Sequence, residues 1–121
     1  MEIKIKAMKT ITEHTLYIHS LLKDRRVASC SEDNTIRIFE PSNDYGQVIM
    51  RRHFDYIYSI CELDDGTIVS CSYDKSIMIG DYTIYNAHDD LITKVITLPN
   101  NRIASCSADY SIKIWKSNPP E

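Results

Sequence analysis

Apolar and polar residues alternate with a two-residue period along most of the chain, in short runs closed by Asp, Asn, Gly or Pro. That period, with its Ile, Val and Thr content, predicts strands and argues against helices. The clearest stretch is 47–81, where QVIMRRH (47–53), IYSICEL (57–63), TIVSCS (67–72) and SIMIGD (76–81) are separated by FDY, LDDG and YDK. Asp and Gly supply the local hydrogen bonds and backbone freedom that reversals need, so four strands in a meander are expected. The C-terminal third repeats the pattern with DYTIYNAH, ITKVITL, RIASCS and SIKIWK around DD, PNN and ADY. The N-terminal third does so with EIKIKAMKTITEH, YIHSLLK, RVASCS and TIRIFE.

The resemblance between thirds is an internal repeat. RVASCSEDNTIRIFE (26–40), TIVSCSYDKSIMIGD (67–81) and RIASCSADYSIKIWK (102–116) are versions of one sentence. Each Ser-x-Ser follows a histidine, His14 to Ser29 by 15 residues, His53 to Ser70 and His88 to Ser105 by 17. Successive histidines lie 39 and 35 residues apart, the first interval lengthened by PSNDYGQ (41–47). This is about the length of a four-stranded propeller blade. The chain therefore reads as a single domain, 1–121, of three repeats at about 1–40, 41–81 and 82–116, with a short tail at 117–121.

Composition narrows the class of partner. With 121 residues and 43% hydrophobic content there is enough for one modest core. A formal charge of -3 and a pI near 5.8 give no basic field of the kind that draws proteins to phosphate backbones, so nucleic acid is not expected. MEIKIKAMKTI alternates Ile with Lys and builds no signal-peptide core, and no run approaches membrane-spanning length, so a cytoplasmic location without membrane contact is expected. Cys30, Cys71 and Cys106 occupy one position of the three repeats, with Cys61 outside it. Stacked sheets lie roughly 10 Å apart, too far for a disulfide or a shared zinc. Buried free thiols, with no metal and no cofactor, are the expectation.

Histidine, an alternating strand, Ser-x-Ser-x-Asp, a tight turn and Ile-x-Ile before an aromatic, three times in register, resemble the WD-repeat β-propeller family over nearly the whole chain. The resemblance implies an all-β fold of three four-stranded antiparallel blades. No repeat ends in Trp-Asp. The endings are Phe39-Glu40, Gly80-Asp81 and Trp115-Lys116, and the glycine that usually precedes the histidine is replaced by Glu13, Arg52 and Ala87. Gly80 leaves the middle blade short of a large side chain, and Met78 or Tyr82 is expected to fill the gap.

One Ser, one His and one Asp per repeat are also the members of a nucleophilic triad. A catalytic constellation is built once, in a pocket with an oxyanion site, whereas this trio is written three times at fixed strand positions. The family resemblance implies instead a structural hydrogen-bonded network and no catalysis. His88, Ser105, Asp109 and Trp115 match at every position. His14, Ser29 and Asp33 stand with Phe39, which has no ring N–H, and His53, Ser70 and Asp74 stand with no aromatic.

Members of the family usually meet partners on the face bearing the loops into each blade and the turns after the Ser-x-Ser strands. Tyr17 and His19, Tyr56 and Tyr58, and Leu91 and Thr93 fall three and five residues after the histidines, and Glu32, Tyr73 and Ala108 precede the turn aspartates. Tyrosine gives large contact area and a hydroxyl at low rotamer cost. With Asp55, Asp89 and Asp90 beside them, these residues predict binding of a basic or polar peptide or protein. Lys4, Lys6 and Lys9 read as the outer face of an edge strand, where they discourage strand addition.

The strand before each histidine is, by the same resemblance, the outer edge of the preceding blade. EIKIKAMKTI then has no blade of its own to complete, and the blade ending at Trp115 has no outer strand, because SNPPE is short and proline-rich. Two chains exchanging that strand would close a ring of six blades, within the usual range of about four to eight. A homodimer is therefore expected, with a hetero-assembly as the competitor.

Overall fold

The computed structural model describes residues 4, 6, 7, 10–12, 14, 18–23, 26–41, 46–51 and 53–116, with the backbone alone for 18–23. Three antiparallel sheets follow one another along the chain. The first runs β1 (Ile18–Lys23), β2 (Val27–Ser31), β3 (Ile36–Glu40), β4 (Gly46–Met50), and the second β5 (Ile57–Glu62), β6 (Ile68–Ser72), β7 (Ile77–Ile79), β8 (Tyr82–Ile84). The third holds β9 (Ile92–Leu98), β10 (Arg102–Ser107) and β11 (Ile112–Lys116), with β10 central. Every described element is a strand, as the two-residue period predicts.

The grouping of strands differs from a simple reading of the repeat. Residues 47–53 were expected to open a meander with 57–63, yet β4 pairs with β3, Arg37 opposite Ile49 and Phe39 opposite Gln47. The sheet is thus displaced by one strand from the repeat, in the manner the family resemblance implied for outer strands. The third sheet has three strands among the described residues where four were expected. Of EIKIKAMKTI, Lys4, Lys6, Ala7 and Thr10 are exposed and Ile11 is half-buried, none of them in a strand, and the remainder lies outside the described residues, Lys9 included.

Packing comes from the faces that neighbouring sheets turn toward each other. Ala28, Cys30, Ile36 and Ile38 of the first sheet bury against Ile57, Ile60 and Ile68 of the second. The second repeats the arrangement toward the third, Cys61, Val69, Cys71 and Ile77 meeting Ala87, Ile92, Val95 and Ile103. Such alternate apolar residues on both faces explain why β6 is buried throughout. Polar ties reinforce the seams. Arg26 Nη2 donates to Glu62 Oε2 at 2.7 Å across the first, and Val95 N donates to Ser59 Oγ at 3.2 Å across the second.

Gly80 sits where the other repeats have an aromatic, but the chain there is already turning. Its N–H donates to Ile68 O at 3.0 Å, Ile79 pairs with Tyr82, and Gly80 takes φ +56°, a left-handed value that glycine adopts without a Cβ clash. A Cβ would meet Thr67 Cγ2 at 3.2 Å. The expectation that Tyr82 fills a gap is overturned, because Tyr82 is 68% exposed. The two-residue reversal removes the need for a filler by drawing β8 close, and Thr67 occupies the space beside the glycine. Met78 is half-buried on β7.

Candidate partner-binding face

The register places all the loops of interest at one end of the sheets. Ile57, the first residue of β5, pairs with Ser72, the last of β6, so the loop into β5 lies beside the β6–β7 turn. The same holds for Ile92 with Ser107 and for Ile18 with Ser31. In all three pairs the register slips just inside the first strand, so that His19, Tyr58 and Thr93 are the unpaired residues of equivalent bulges. A bulge twists its strand and re-aims a side chain. At Tyr58 this brings an aromatic to the loop end.

The turns are built by hydroxyls and carboxylates. Asp74 N donates to Ser72 Oγ, and Ser76 N donates to Asp74 Oδ1 at 2.9 Å. Asp33 with Thr35 and Asp109 with Ser111 repeat this arrangement. Each turn ends in a left-handed residue, Asn34 at φ 69°, Lys75 at 70° and Tyr110 at 70°. Asparagine tolerates that conformation; lysine and tyrosine are strained by it.

Within each repeat the histidine links strand to turn. His88 Nε2 meets Ser105 Oγ at 2.8 Å and its Nδ1 meets Asp109 Oδ2 at 2.9 Å and Ser111 Oγ at 3.0 Å. Trp115 Nε1 donates to the same Ser105 hydroxyl at 2.9 Å. His53 makes the corresponding contacts with Ser70, Asp74 and Ser76, at 2.7, 3.0 and 2.9 Å. His14 meets Ser29 at 2.6 Å, Asp33 at 2.8 Å and Thr35 at 3.3 Å. Thr35, Ser76 and Ser111 were missed from sequence, although a hydroxyl two residues past each turn aspartate was visible in all three repeats.

Electrostatics follow from these bonds. Burial alone would raise the Asp74 carboxyl, but hydrogen bonds from His53 and Ser76 outweigh it and hold the group well below the usual carboxylate range. For Asp109 the Ser111 hydroxyl leads, opposed by desolvation and joined by the Asp89 N–H and His88, with the same downward result. The Ser-His-Asp geometry has the reach of a triad, but the serine hydroxyls are sealed: Ser29, Ser70 and Ser105 are all buried. Burial pushes the Cys61 thiol up to about 12 and Cys71 well above its ordinary value, which suppresses the reactive thiolate.

Around this framework the face is aromatic. Tyr56 and Tyr73 stack with ring centroids 5.5 Å apart, Tyr58 lies 4.7 Å from Tyr73 and edge-on to Tyr56 at 6.4 Å. The Tyr58 phenol is held protonated far above its usual range, first by its hydrogen bond with Tyr73, then by burial and the nearby Glu32 charge. So Tyr56, Tyr58 and Tyr73 are brought together, and Glu32, in the turn between β2 and β3, lies near enough for its charge to act on Tyr58. Asp55 and Asp90 hold the backbone N–H of Tyr56 and Leu91 at 2.8 and 2.7 Å, each capping its own loop. His19 lies on β1, its backbone alone described; Tyr17 lies outside the described residues. Phe54, 87% exposed, and the fully exposed Tyr110 join this end of the molecule and were not singled out from sequence. Their signal was the position itself, one residue past a histidine and one past a turn aspartate.

Elsewhere, a cavity of about 230 Å³ opens at the opposite end between the second and third sheets, lined by Leu63, Asp64, Thr97, Leu98, Pro99 and Asn101. None of the networked residues lines it. Among the described residues no three His, Cys, Asp or Glu side chains are grouped to hold a metal ion. No helix among them is long and apolar enough to cross a membrane.

Successive antiparallel sheets stacked face to face, each with a His-Ser-Asp network at one end, are blades of a β-propeller. The family described as WD domain, G-beta repeat matches residues 5–40, 46–81 and 82–116, and the chain belongs to it, as three consecutive repeats of a partial propeller. No curated protein matches the chain. Members of this family generally mediate protein–protein interaction and are typically non-catalytic scaffolds.

Proposed function

We propose that this chain is a non-catalytic interaction module that binds a protein or peptide across the end of the blades where Tyr56, Tyr58 and Tyr73 cluster. The single observation that carries this reading is the tyrosine trio, with centroids 4.7 to 6.4 Å apart. Packed rings present contact area with little rotamer entropy left to lose on binding. Asp55, Asp90 and Glu32 at the same end favour a basic or polar guest, and Tyr17 and His19 hold the equivalent sequence positions of the first repeat. The His, Ser and Asp residues of each repeat act as structural ties in this reading, not as catalysts. Buried thiols suit a reducing compartment such as the cytoplasm.

Replacing Tyr56 and Tyr73 together by Ala should weaken capture of the protein's binding partner, while the protein stays folded and loses about 1–2 kcal/mol, the scale of a half-buried aromatic pair. Unfolding of the double variant would assign those rings to the core instead and end the proposal.

A second reading concerns assembly, and the three-stranded third sheet favours it. Among the described residues β11 pairs on one side only, and residues 1–10 of a second copy are proposed to add there, giving a strand-exchanged homodimer of six blades that buries on the order of 2,000 Å² or more. Deleting residues 1–10 should abolish that dimer. A compact, folded 14.0 kDa monomer of the full chain in light scattering would refute it.

A further inference from the structure

The three sheets carry the same apolar residues on the face turned toward the next sheet, and two of those faces are covered. Ile36 and Ile77 are 1% and 0% exposed, whereas Ile112, at the same repeat position, is 76% exposed. Ile38 is buried and Ile79 half-buried, whereas Ile114 is 66% exposed. Cys61 is covered where Ile96 is open, and Cys30 and Cys71 are fully buried where Cys106 is not. Chemistry is constant across these positions and environment is not. The difference is that the first face meets Ile57, Ile60 and Ile68, and the second meets Ile92, Val95 and Ile103. Among the described residues nothing meets the third.

The covering residues also recur a third time, in the first sheet. Ile57 pairs with Ser72 and Ile60 with Ser70; Ile18 pairs with Ser31 and Leu21 with Ser29, in the same register. Val27 holds the place of Ile68 and Ile103, and it is half-buried where both of those are buried. The chain therefore carries at one end a face that wants a covering sheet, and at the other the strands that do the covering at each internal seam.

We infer that the apolar face of the third sheet, Ile96, Ala104, Cys106, Ile112 and Ile114, is a docking surface for the first sheet of a second copy of this chain. The contact repeats the seam the chain already makes twice, with β1 and β2 of the incoming copy in the register that β5 and β6 hold at the first seam, and Val27 at the position of Ile68 and Ile103. Head-to-tail contacts of this kind close into rings when the rotation allows. Two copies give six blades. The inference rests on the assembly reading above and supplies a covered surface for it, but it does not require strand exchange and is independent of what the tyrosine face binds.

The test uses the full chain and two variants, Ile112→Asp with Ile114→Asp, and Val27→Asp. The isoleucines are exposed within one chain, so the first variant should keep its β-sheet circular dichroism. The expected result is that the unaltered chain sediments at twice 14.0 kDa, the isoleucine variant as a folded monomer, and Cys106 reacts with iodoacetamide at least tenfold faster in the variant. Each variant spoils one of the two complementary faces, so mixing them should restore a species of two chains that neither forms alone. A full chain that stays monomeric with Cys106 as reactive as in the variant would overturn the inference. So would an isoleucine variant that still dimerises. Should Val27→Asp fail to fold, the isoleucine variant and the Cys106 rates decide the matter on their own. A chain lacking residues 1–10 separates the two ideas: retained dimer supports face docking and refutes strand exchange, whereas a dimer lost on that deletion yet kept by the isoleucine variant overturns face docking.

Discussion

The indole N–H of Trp115 donates to the hydroxyl of Ser105, 2.9 Å away, and that hydroxyl is also 2.8 Å from His88 Nε2. The third repeat thus closes a circuit from β11 to loop to turn that the other two leave without an indole. Trp115→Phe should remove the donor while keeping most of the ring, and cost about 1 kcal/mol or somewhat more in urea unfolding. The reciprocal change, Phe39→Trp, places an indole opposite Val27 as Trp115 lies opposite Ile103. Loss of several kcal/mol in the first variant would mean that packing, not the hydrogen bond, dominates there.

Ser105→Ala addresses the role of the network itself. With the hydroxyl gone, the His88 and Trp115 nitrogens lose a buried partner, at a cost of about 1–3 kcal/mol. The expected outcome is a lowered Tm. A variant as stable as the parent would show that this serine carries no structural weight.

Asp74 and Asp109 make stability depend on acid. Their folded carboxyls titrate below the unfolded value near pH 4. Stability from them is complete above the unfolded value and is lost as pH falls from about 4 toward the folded one. Denaturation followed between pH 7 and 2 should show this decline, and Asp74→Asn should lower stability at pH 7 while flattening the slope below pH 4. An unchanged slope would assign the acid sensitivity to other groups.

Two turn positions invite stabilisation. Lys75 and Tyr110 occupy the left-handed conformation that Asn34 holds in the first repeat. Lys75→Asn or Tyr110→Asn should raise stability by a few tenths to about 1 kcal/mol, read as a higher urea midpoint. Gly80→Ala should do the reverse by about 1–2 kcal/mol, since φ +56° and the Thr67 methyl at 3.2 Å both oppose a Cβ.

All four cysteines are free. Intact-mass analysis after alkylation under denaturing, non-reducing conditions should show four adducts. Under native conditions Cys30, Cys61 and Cys71 should react slowly because the core covers them. Fewer than four adducts would reveal a disulfide or a bound metal.

Much of this architecture is legible from local chemistry. Ile57–Glu62, Ile68–Ser72 and Ile92–Leu98 fall inside the alternating runs, because half-buried strands impose a two-residue period. The histidine contacts to Ser70 and Asp74 were implied by the family resemblance that the repeated motif carries. What could not be read depends on context beyond the repeat. Ile77 and Ile112 sit in the same Ile-x-Ile motif, yet one is sealed and the other open, since a neighbour and not the motif decides burial. The bulge at Tyr58 leaves no compositional mark, so the contact of its ring with Tyr73 was unforeseen. Tyr82 was misplaced because a two-residue reversal at Gly80 and a gap beneath a missing aromatic look alike in sequence.

The one-strand offset between repeat and sheet gives the chain the logic of a row of overlapping roof tiles. Residues 46–50 open the second repeat and finish the first sheet, so each unit is locked by the start of the next. A cut at residue 45 would separate two sequence repeats cleanly and still tear a sheet open. Lifting any one tile unseats its neighbour, which ties the local stability of a sheet to a segment that belongs, by sequence, to someone else.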